Sequence, residues 1–164
     1  MLQTMARDFL ANEYPKAKIR ELEESEIGYY PQTWHRMAEL GWLGLVFPEE
    51  YGGSNAEFID LVAIVEEMGK NILPGPFFST VILCALPILE FGTSAQKAEF
   101  LPPIATGQRI WAFAMAESSA RYRPSEITAY AKASDAEYIV NGEKVFVPDA
   151  HVADYMLLVA RTGK

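Results

Sequence analysis

The residues with the clearest chemical potential stand at the end of an apolar run, in Ile110–Tyr122 (IWAFAMAESSARY). Seven mostly apolar residues lead into Glu117, and Ser118 and Ser119 follow it. This pattern predicts a buried strand that ends at a loop, where proteins commonly place ligand-contacting groups. An ordinary core strand would show the same pattern, so the residues alone leave both interpretations open.

Other residue types that often carry chemistry do not form recognisable sites in the sequence. Cys84 is the only cysteine, which excludes an intrachain disulfide and a cysteine-based metal site. His35 and His151 lie far apart and lack the spacing of metal ligands. The sequence contains neither the GxGxxG dinucleotide fingerprint nor the GxxxxGK[ST] phosphate loop. The catalytic group is therefore not evident from a motif of this kind.

Composition narrows the class of protein. Half of the 164 residues are hydrophobic and 22% are charged, so a sizeable core is available. The formal net charge of −8 disfavours a nucleic-acid partner, whose phosphates would repel such a surface. No apolar run approaches the roughly 20 residues of a membrane helix, and the N-terminal stretch has no pattern of a targeting peptide. We expect a cytoplasmic protein without a membrane partner.

The period of the hydrophobic pattern changes near Ile110, from helical spacing to alternation. The sequence therefore predicts an α+β fold with the two kinds of element segregated, all-helical to about Gly107 and all-strand after Ile110. The expected helices lie in Met1–Glu24 with a break at Pro15, from Pro31 to Leu40, in Ala56–Lys70, in Ser79–Phe91 with a bend at Pro87 and burial on all sides, and from Thr93 or Ser94 to Pro102–Pro103.

The second half predicts short strands. They are expected at Ile110–Ala116, Ile127–Ala133, Tyr138–Val140, Lys144–Val147 and Tyr155–Ala160. Asn141–Gly142 is a strong hairpin signal between the third and fourth of them.

Six segments carry a family resemblance. They are LGWLGLVFPEEYGG (Leu40–Gly53), VEEMGK followed by PGPF (Val65–Phe77), FGTSAQKAEFLPPIATGQ (Phe91–Gln108), FAMAESSA (Phe113–Ala120), IVNGEKVFV (Ile139–Val147) and ADYMLLVART (Ala153–Thr162). In order and spacing they resemble the signatures of the acyl-CoA dehydrogenase family. The resemblance implies an N-terminal α-helical bundle, residues 1–108, followed by the first strands of a β-barrel-like middle domain, residues 109–164. The family's C-terminal helical domain is absent from these residues.

The resemblance also implies a chemistry. Family members remove a proton from the carbon alpha to an acyl-CoA thioester and pass a hydride from the beta carbon to FAD. An electron-transfer flavoprotein is the expected electron acceptor, and a homo- or hetero-oligomer is expected. The C-terminal domain usually supplies the catalytic carboxylate, so no catalytic residue is assigned here. Glu117 matches a structural glutamate of the family motif, with local hydrogen bonding as its role.

By resemblance, two stretches face the flavin: the end of the Ile110–Ala116 strand with its loop, and the segment after Lys144. The implied cofactor-binding residues are Phe113, Met115, Ala116, Arg121, Tyr122, Phe146, Val147 and Pro148.

Three of these positions depart from the family pattern. Ala116 and Pro148 stand where the family has threonines, and Arg121 stands where it has a glycine. Two hydroxyl donors are thereby lost, and Pro148 also lacks a backbone N–H. Arg121 and Arg123 could instead bind a phosphate of CoA or FAD, or be ordinary solvent-exposed arginines.

The departures leave more than one function open. The first interpretation is a segment of an FAD-dependent acyl-CoA dehydrogenase. The alternative is a degenerate subunit that has lost its flavin site and pairs with a second, unlike chain. A related flavin monooxygenase or nitroalkane oxidase is a third, because the distinguishing residues would lie beyond Lys164.

Overall fold

The computed structural model describes residues 1–118, 123–135 and 137–163. All the α-helices of the described residues lie before residue 106, and the strands begin at Trp111. The predicted segregation of helices and strands is confirmed. Along the described residues, no helix is long and apolar enough to cross a membrane.

The helices are α1 (Leu2–Glu13), α2 (Lys16–Glu23), α3 (Pro31–Glu39), α4 (Phe58–Lys70), a π-helical segment (Phe78–Ala85), α5 (Leu86–Phe91) and α6 (Ser94–Ala105). The strands are β1 (Trp111–Ala114), β2 (Tyr130–Ser134), β3 (Glu137–Asn141) and β4 (Tyr155–Leu158). Short 3₁₀ turns lie at Glu49–Tyr51 and Pro124–Glu126.

Two prolines and one capping residue set helix boundaries where the sequence predicts them. Pro15 separates α1 from α2, and Pro31 occupies the first turn of α3. Thr93 caps α6 through a capping box, in which its hydroxyl accepts from the Gln96 backbone and the Gln96 side chain accepts from the Thr93 backbone. Pro102 and Pro103 lie inside the last turns of α6 instead of closing it.

The predicted bend at Pro87 takes the form of a change in helix type. Pro87 has no N–H, and in α geometry its ring would crowd the carbonyl of Leu83. The chain widens to a π-helix over Phe78–Ala85, with the Leu86 N–H bonded to the Val81 carbonyl. The prediction that Ser79–Phe91 is buried on all sides is wrong, since Phe91 at its end is 84% exposed. Phe91 borders an apolar groove on the surface, and Phe78, which precedes the predicted stretch, borders another.

Two clusters of buried side chains form the core. One joins α1, α3 and α4 around Leu10, Trp34 and Ile64. The other joins the π-helical segment and α6 to β1, through Cys84, Leu101 and Trp111 among others. The second cluster sets the position of β1 relative to the helices.

The strands form two small two-stranded sheets. β1 pairs with β4 in parallel, from Trp111 opposite Tyr155 to Ala114 opposite Leu158. β2 and β3 form an antiparallel hairpin that pairs Tyr130 with Asn141.

Three strand predictions are wrong in detail. Asn141–Gly142 forms no hairpin, and Lys144–Val147 is not a strand, because Lys144 and Val145 bond to the end of β1 instead. The predicted strand at Ile127–Ala133 begins only at Tyr130. Its first residues are extended, but the N–H groups of Thr128 and Ala129 donate to the carboxylate of Glu117 instead of to a neighbouring strand.

The pair of glycines at Gly52–Gly53 makes a tight return between α3 and α4. Gly52 is left-handed, with φ 80°, as the sequence predicts. Gly53 is needed for a different reason, since a Cβ there would stand 2.1 Å from the Phe47 carbonyl oxygen and 2.4 Å from that of Gly44.

We predict that Gly53→Ala lowers the free energy of unfolding by more than about 2 kcal/mol, since backbone atoms must move to admit the methyl group. Gly69→Ala is the matched control: it lies in α4, and its Cβ would meet nothing within 4 Å. It should raise stability by about 0.5–1 kcal/mol. Urea unfolding measures both, and equal effects of the two changes would contradict the close approach at Gly53.

A buried carboxylate ties α1 to α4. Glu67 is 1% exposed and accepts from Arg7 Nε and Nη2, each at 3.0 Å, and from Lys70 Nζ at 3.0 Å. The hydrogen bonds from Arg7, followed by that from Lys70, lower the pKa of Glu67 from 4.5 to about 2. The carboxylate therefore stabilises the fold above pH 4.5, and this stabilisation is lost as the pH falls from 4.5 towards 2.

Accordingly, we expect Glu67→Gln to be less stable than the unmutated protein at pH 7 and to lose less stability between pH 5 and pH 2. Glu66→Gln is the control, because Glu66 is half-exposed and its contact with Lys70 contributes little in water. Urea midpoints at several pH values decide the point. An acid dependence unaltered by Glu67→Gln would show that this carboxylate is not held in its charged form.

Candidate functional site

The carboxylate of Glu117 gathers three segments at the end of β1. It accepts four hydrogen bonds, from Thr128 N–H (2.7 Å), Thr128 Oγ1 (2.6 Å), Ala129 N–H (2.9 Å) and Lys144 Nζ (2.8 Å). The end of β1, the stretch leading into β2 and the loop after β3 therefore meet at one side chain. The structure agrees with the prediction of local hydrogen bonding for Glu117.

Lys144 completes this centre. Its ammonium group also donates to the Met115 carbonyl at 3.0 Å, and only 7% of its side chain is exposed, against 3% for Glu117. The hydrogen bond from Lys144, followed by those from Thr128, lowers the pKa of Glu117 from 4.5 to about 2. Glu117 is thus an ionised, fully engaged group, and a carboxylate with such a low pKa is a poor proton acceptor near neutral pH.

Lys144 brings the loop of residues 142–150 against the end of β1. The Val145 N–H donates to the Ala116 carbonyl at 2.9 Å. The next residue, Phe146, has a left-handed backbone with φ 51°, and its ring is 85% exposed. A large apolar side chain in this position offers a flat surface beside the strand end.

The structure brings most of the predicted cofactor-binding residues to this place. Met115 and Ala116 end the β1 segment, and their carbonyls hold the loop that carries Phe146, Val147 and Pro148. Ala116 is buried and Pro148 is exposed.

Of the other predicted residues, only Phe113 is among those that the structure describes. Phe113 lies on β1 and lines an apolar groove of about 520 Å³ between β1, β4, α5 and α6. Arg121 and Tyr122 lie outside the described residues, so their assignment stays a prediction.

The residues that are present fit a flat, heteroaromatic cofactor such as FAD. Phe146 supplies an exposed ring for stacking. Among the described residues, no hydrogen-bond acceptor is found for the N–H groups of Phe146 and Val147. Ala116 and Pro148 contribute no hydroxyl, so the fit rests on the ring and the backbone.

Two side chains that sequence reasoning did not single out fasten the π-helical segment to the site. The hydroxyl of Ser79 donates to the carboxylate of Asp149, in the loop after Pro148. The hydroxyl of Thr80 donates to the Trp111 carbonyl at 3.1 Å and accepts from the Trp111 N–H at 3.0 Å. The adjacent polar pair in an otherwise apolar helix was the available signal for these contacts.

Comparisons with known proteins point to one family. The family model described as "Acyl-CoA dehydrogenase, N-terminal domain" matches residues 1–108. The probable acyl-CoA dehydrogenase YngJ of Bacillus subtilis is 35% identical over 168 residues, which cover all of this chain and 43% of that protein. The chain therefore spans less than half the length of this relative.

Solved structures share the fold. The FAD complex of an acyl-CoA dehydrogenase from Bacillus anthracis superimposes with a TM-score of 0.86 and 28% identity, covering 99% of this chain and 28% of that one. The ChsE4–ChsE5 complex of Mycobacterium tuberculosis contains a chain with a TM-score of 0.80 and 30% identity, covering 99% and 41%. The family model covers more than half of this chain, and the match to YngJ extends over all of it. The chain therefore belongs to the acyl-CoA dehydrogenase family.

Proposed function

We propose that this chain is the N-terminal helical domain, residues 1–108, and the start of the middle β domain, residues 109–164, of an FAD-dependent acyl-CoA dehydrogenase. The reaction is the α,β-dehydrogenation of an acyl-CoA thioester. The observation that carries the proposal is the exposed Phe146 ring, held beside the end of β1 by Lys144 and Val145. FAD, when bound, supplies the hydride acceptor.

In this proposal, the chain's own residues bind and orient the cofactor. Phe146 would hold the cofactor by stacking, and the N–H groups of Phe146 and Val147 would serve as hydrogen-bond donors to it. Met115 and Ala116 would hold the cofactor loop at the strand end through their carbonyls. Donors fixed before binding cost no reorganisation during the reaction, which is the usual source of electrostatic stabilisation in such sites.

The catalytic base is assigned to a carboxylate outside residues 1–164. Within the described part of the chain, Glu117 is a carboxylate that directly follows the predicted site residue Ala116. It is unsuited to the role because four hydrogen bonds occupy it and its pKa is lowered to about 2. Its work is to hold the site together.

The proposed partners follow from family membership. They are an acyl-CoA substrate, an electron-transfer flavoprotein as electron acceptor, and further subunits of a homo- or hetero-oligomer. The solved complex of two differently named chains, ChsE4 and ChsE5, supports an assembly of unlike subunits as one arrangement of this fold. A cytoplasmic location is part of the proposal.

A second candidate function is a subunit without its own flavin. One observation favours it. Ala116 lies at the strand end, 8% exposed, and Pro148 lies in the loop that carries Phe146. Neither residue type has a hydroxyl to offer to a ligand. Each missing hydrogen bond weakens binding by about 1–3 kcal/mol if its partner stays buried. Such a subunit would need a partner chain to supply these donors.

The deciding experiment is a titration of the full-length protein that carries this chain with FAD. A flavoenzyme should bind FAD stoichiometrically on its own, and acyl-CoA should then bleach the bound flavin. Ala116→Thr with Pro148→Thr returns two hydroxyls and one N–H, so it should tighten FAD binding by about 2–4 kcal/mol, where ~1.4 kcal/mol is tenfold.

Matched controls are Ala133→Thr and Pro124→Thr. Both residues are exposed, and neither is among the predicted cofactor-binding residues, so neither change should alter FAD affinity. If the protein is colourless alone and gains FAD only together with a partner chain, the flavin-free subunit would be the correct function and the enzyme would be wrong. Bound FAD that no acyl-CoA bleaches would contradict the dehydrogenase reaction.

A further inference from the structure

A hydrogen bond between residues 70 apart in sequence fixes the far end of the loop that carries Phe146. Ser79, in the π-helical segment, is 2% exposed and donates from its hydroxyl to the carboxylate of Asp149. Asp149 directly follows Pro148 and has a left-handed backbone, with φ 58°.

The helix side of this bond is itself fixed relative to β1. The neighbouring residue, Thr80, is fully buried and exchanges two hydrogen bonds with the backbone of Trp111, the first residue of β1. Ser79 therefore presents its hydroxyl from a position that is set by the same strand whose end forms the candidate flavin site.

The near end of the loop is fixed to β1 as well. Lys144 donates to the Met115 carbonyl, and Val145 donates to the Ala116 carbonyl. Between this attachment and Asp149 lie only Phe146, Val147 and Pro148. These are the three residues of the loop that the cofactor assignment uses.

The loop needs such a restraint. Two of its non-glycine residues, Phe146 and Asp149, hold positive φ angles, which are unfavourable for residues with a Cβ. Aspartate tolerates this conformation better than most residues. The Phe146 side chain is exposed, so packing does little to hold it in place.

We propose that Ser79 and Asp149 are positioning residues, which hold Phe146–Pro148 in the geometry that receives the flavin ring. This inference rests on the proposed function, and it adds to it a coupling between the π-helical segment and the cofactor loop. Neither residue touches the cofactor.

Three variants of the full-length protein separate the hydrogen bond from backbone strain. Ser79→Ala removes the donor within a helix. Asp149→Gly removes the acceptor and leaves the left-handed backbone unstrained. Asp149→Asn keeps an acceptor oxygen and tolerance of positive φ, so it is the conservative replacement.

The first measurement is amide hydrogen exchange without added FAD. The N–H groups of Ala150 and Val152 donate to the carbonyls of Val147 and Asp149 and report on the loop. We expect exchange about tenfold faster in Ser79→Ala and in Asp149→Gly, as for loss of one hydrogen bond. The double variant should add little, and Asp149→Asn should stay within about twofold of the unmutated protein.

Two changes elsewhere serve as controls. Ser94→Ala alters an exposed helical serine, and Asp135→Gly alters an exposed, left-handed aspartate. Neither should change exchange at Ala150 or Val152. Unaltered exchange in Ser79→Ala would overturn the proposal.

The second measurement is the dissociation constant of FAD. It should rise about tenfold in Ser79→Ala and in Asp149→Gly, and Asp149→Asn should restore it. Faster loop exchange with unchanged FAD affinity would also overturn the proposal. If the unmutated protein binds no FAD, the proposed function fails, while the exchange measurement still decides whether Ser79 and Asp149 hold the loop.

Discussion

The buried ion pair of Glu117 and Lys144 is the interaction on which the second half of the structure depends. Its two side chains are 3% and 7% exposed. Burial of charges is costly unless further hydrogen bonds accompany the pair, and here two N–H groups and a hydroxyl donate to Glu117 while a carbonyl accepts from Lys144. Removal of either charge would leave the other without its counterion. The pair therefore specifies which segments meet at the end of β1, more than it adds to stability.

The same pair explains why the helical half was predictable and the strand half less so. Pro15, Pro31 and Thr93 act through their immediate neighbours, so the sequence shows their effect directly. Asn141–Gly142 has a strong local preference for a hairpin, but its outcome depends on Lys144 reaching a carboxylate 27 residues away. Local turn chemistry cannot reveal a contact of that range. The family motif identified Glu117 and its role, but it did not identify the hydrogen-bond partners of this side chain.

The candidate site was likewise predictable in part. The resemblance brought Ala116 and Phe146 into one site, and the structure places their segments in contact through Val145. The Ser79–Asp149 bond was not predictable, because the two residues belong to different segments and each has an ordinary local explanation. The boundary between residues 108 and 109 stays a prediction, although the family model also ends at 108.

The two candidate functions differ in whether this site can bind a flavin without the two missing hydroxyls. The anchored loop, the exposed Phe146 ring and the N–H groups of Phe146 and Val147 favour a working cofactor site. Ala116 and Pro148 weaken it. Of the two candidates, the proposed enzyme is the better supported, because the relatives that the chain matches are acyl-CoA dehydrogenases.

The proposed arrangement of the site requires that Glu117 is ionised. Its side-chain carboxyl can be followed by NMR in glutamate-labelled protein as the pH is lowered, with Glu117→Gln identifying its signal. A midpoint near 2 is the predicted result, because Lys144 and the N–H groups of Thr128 and Ala129 stabilise the carboxylate. A midpoint at the ordinary value of 4.5 would show that the buried pair does not organise the site.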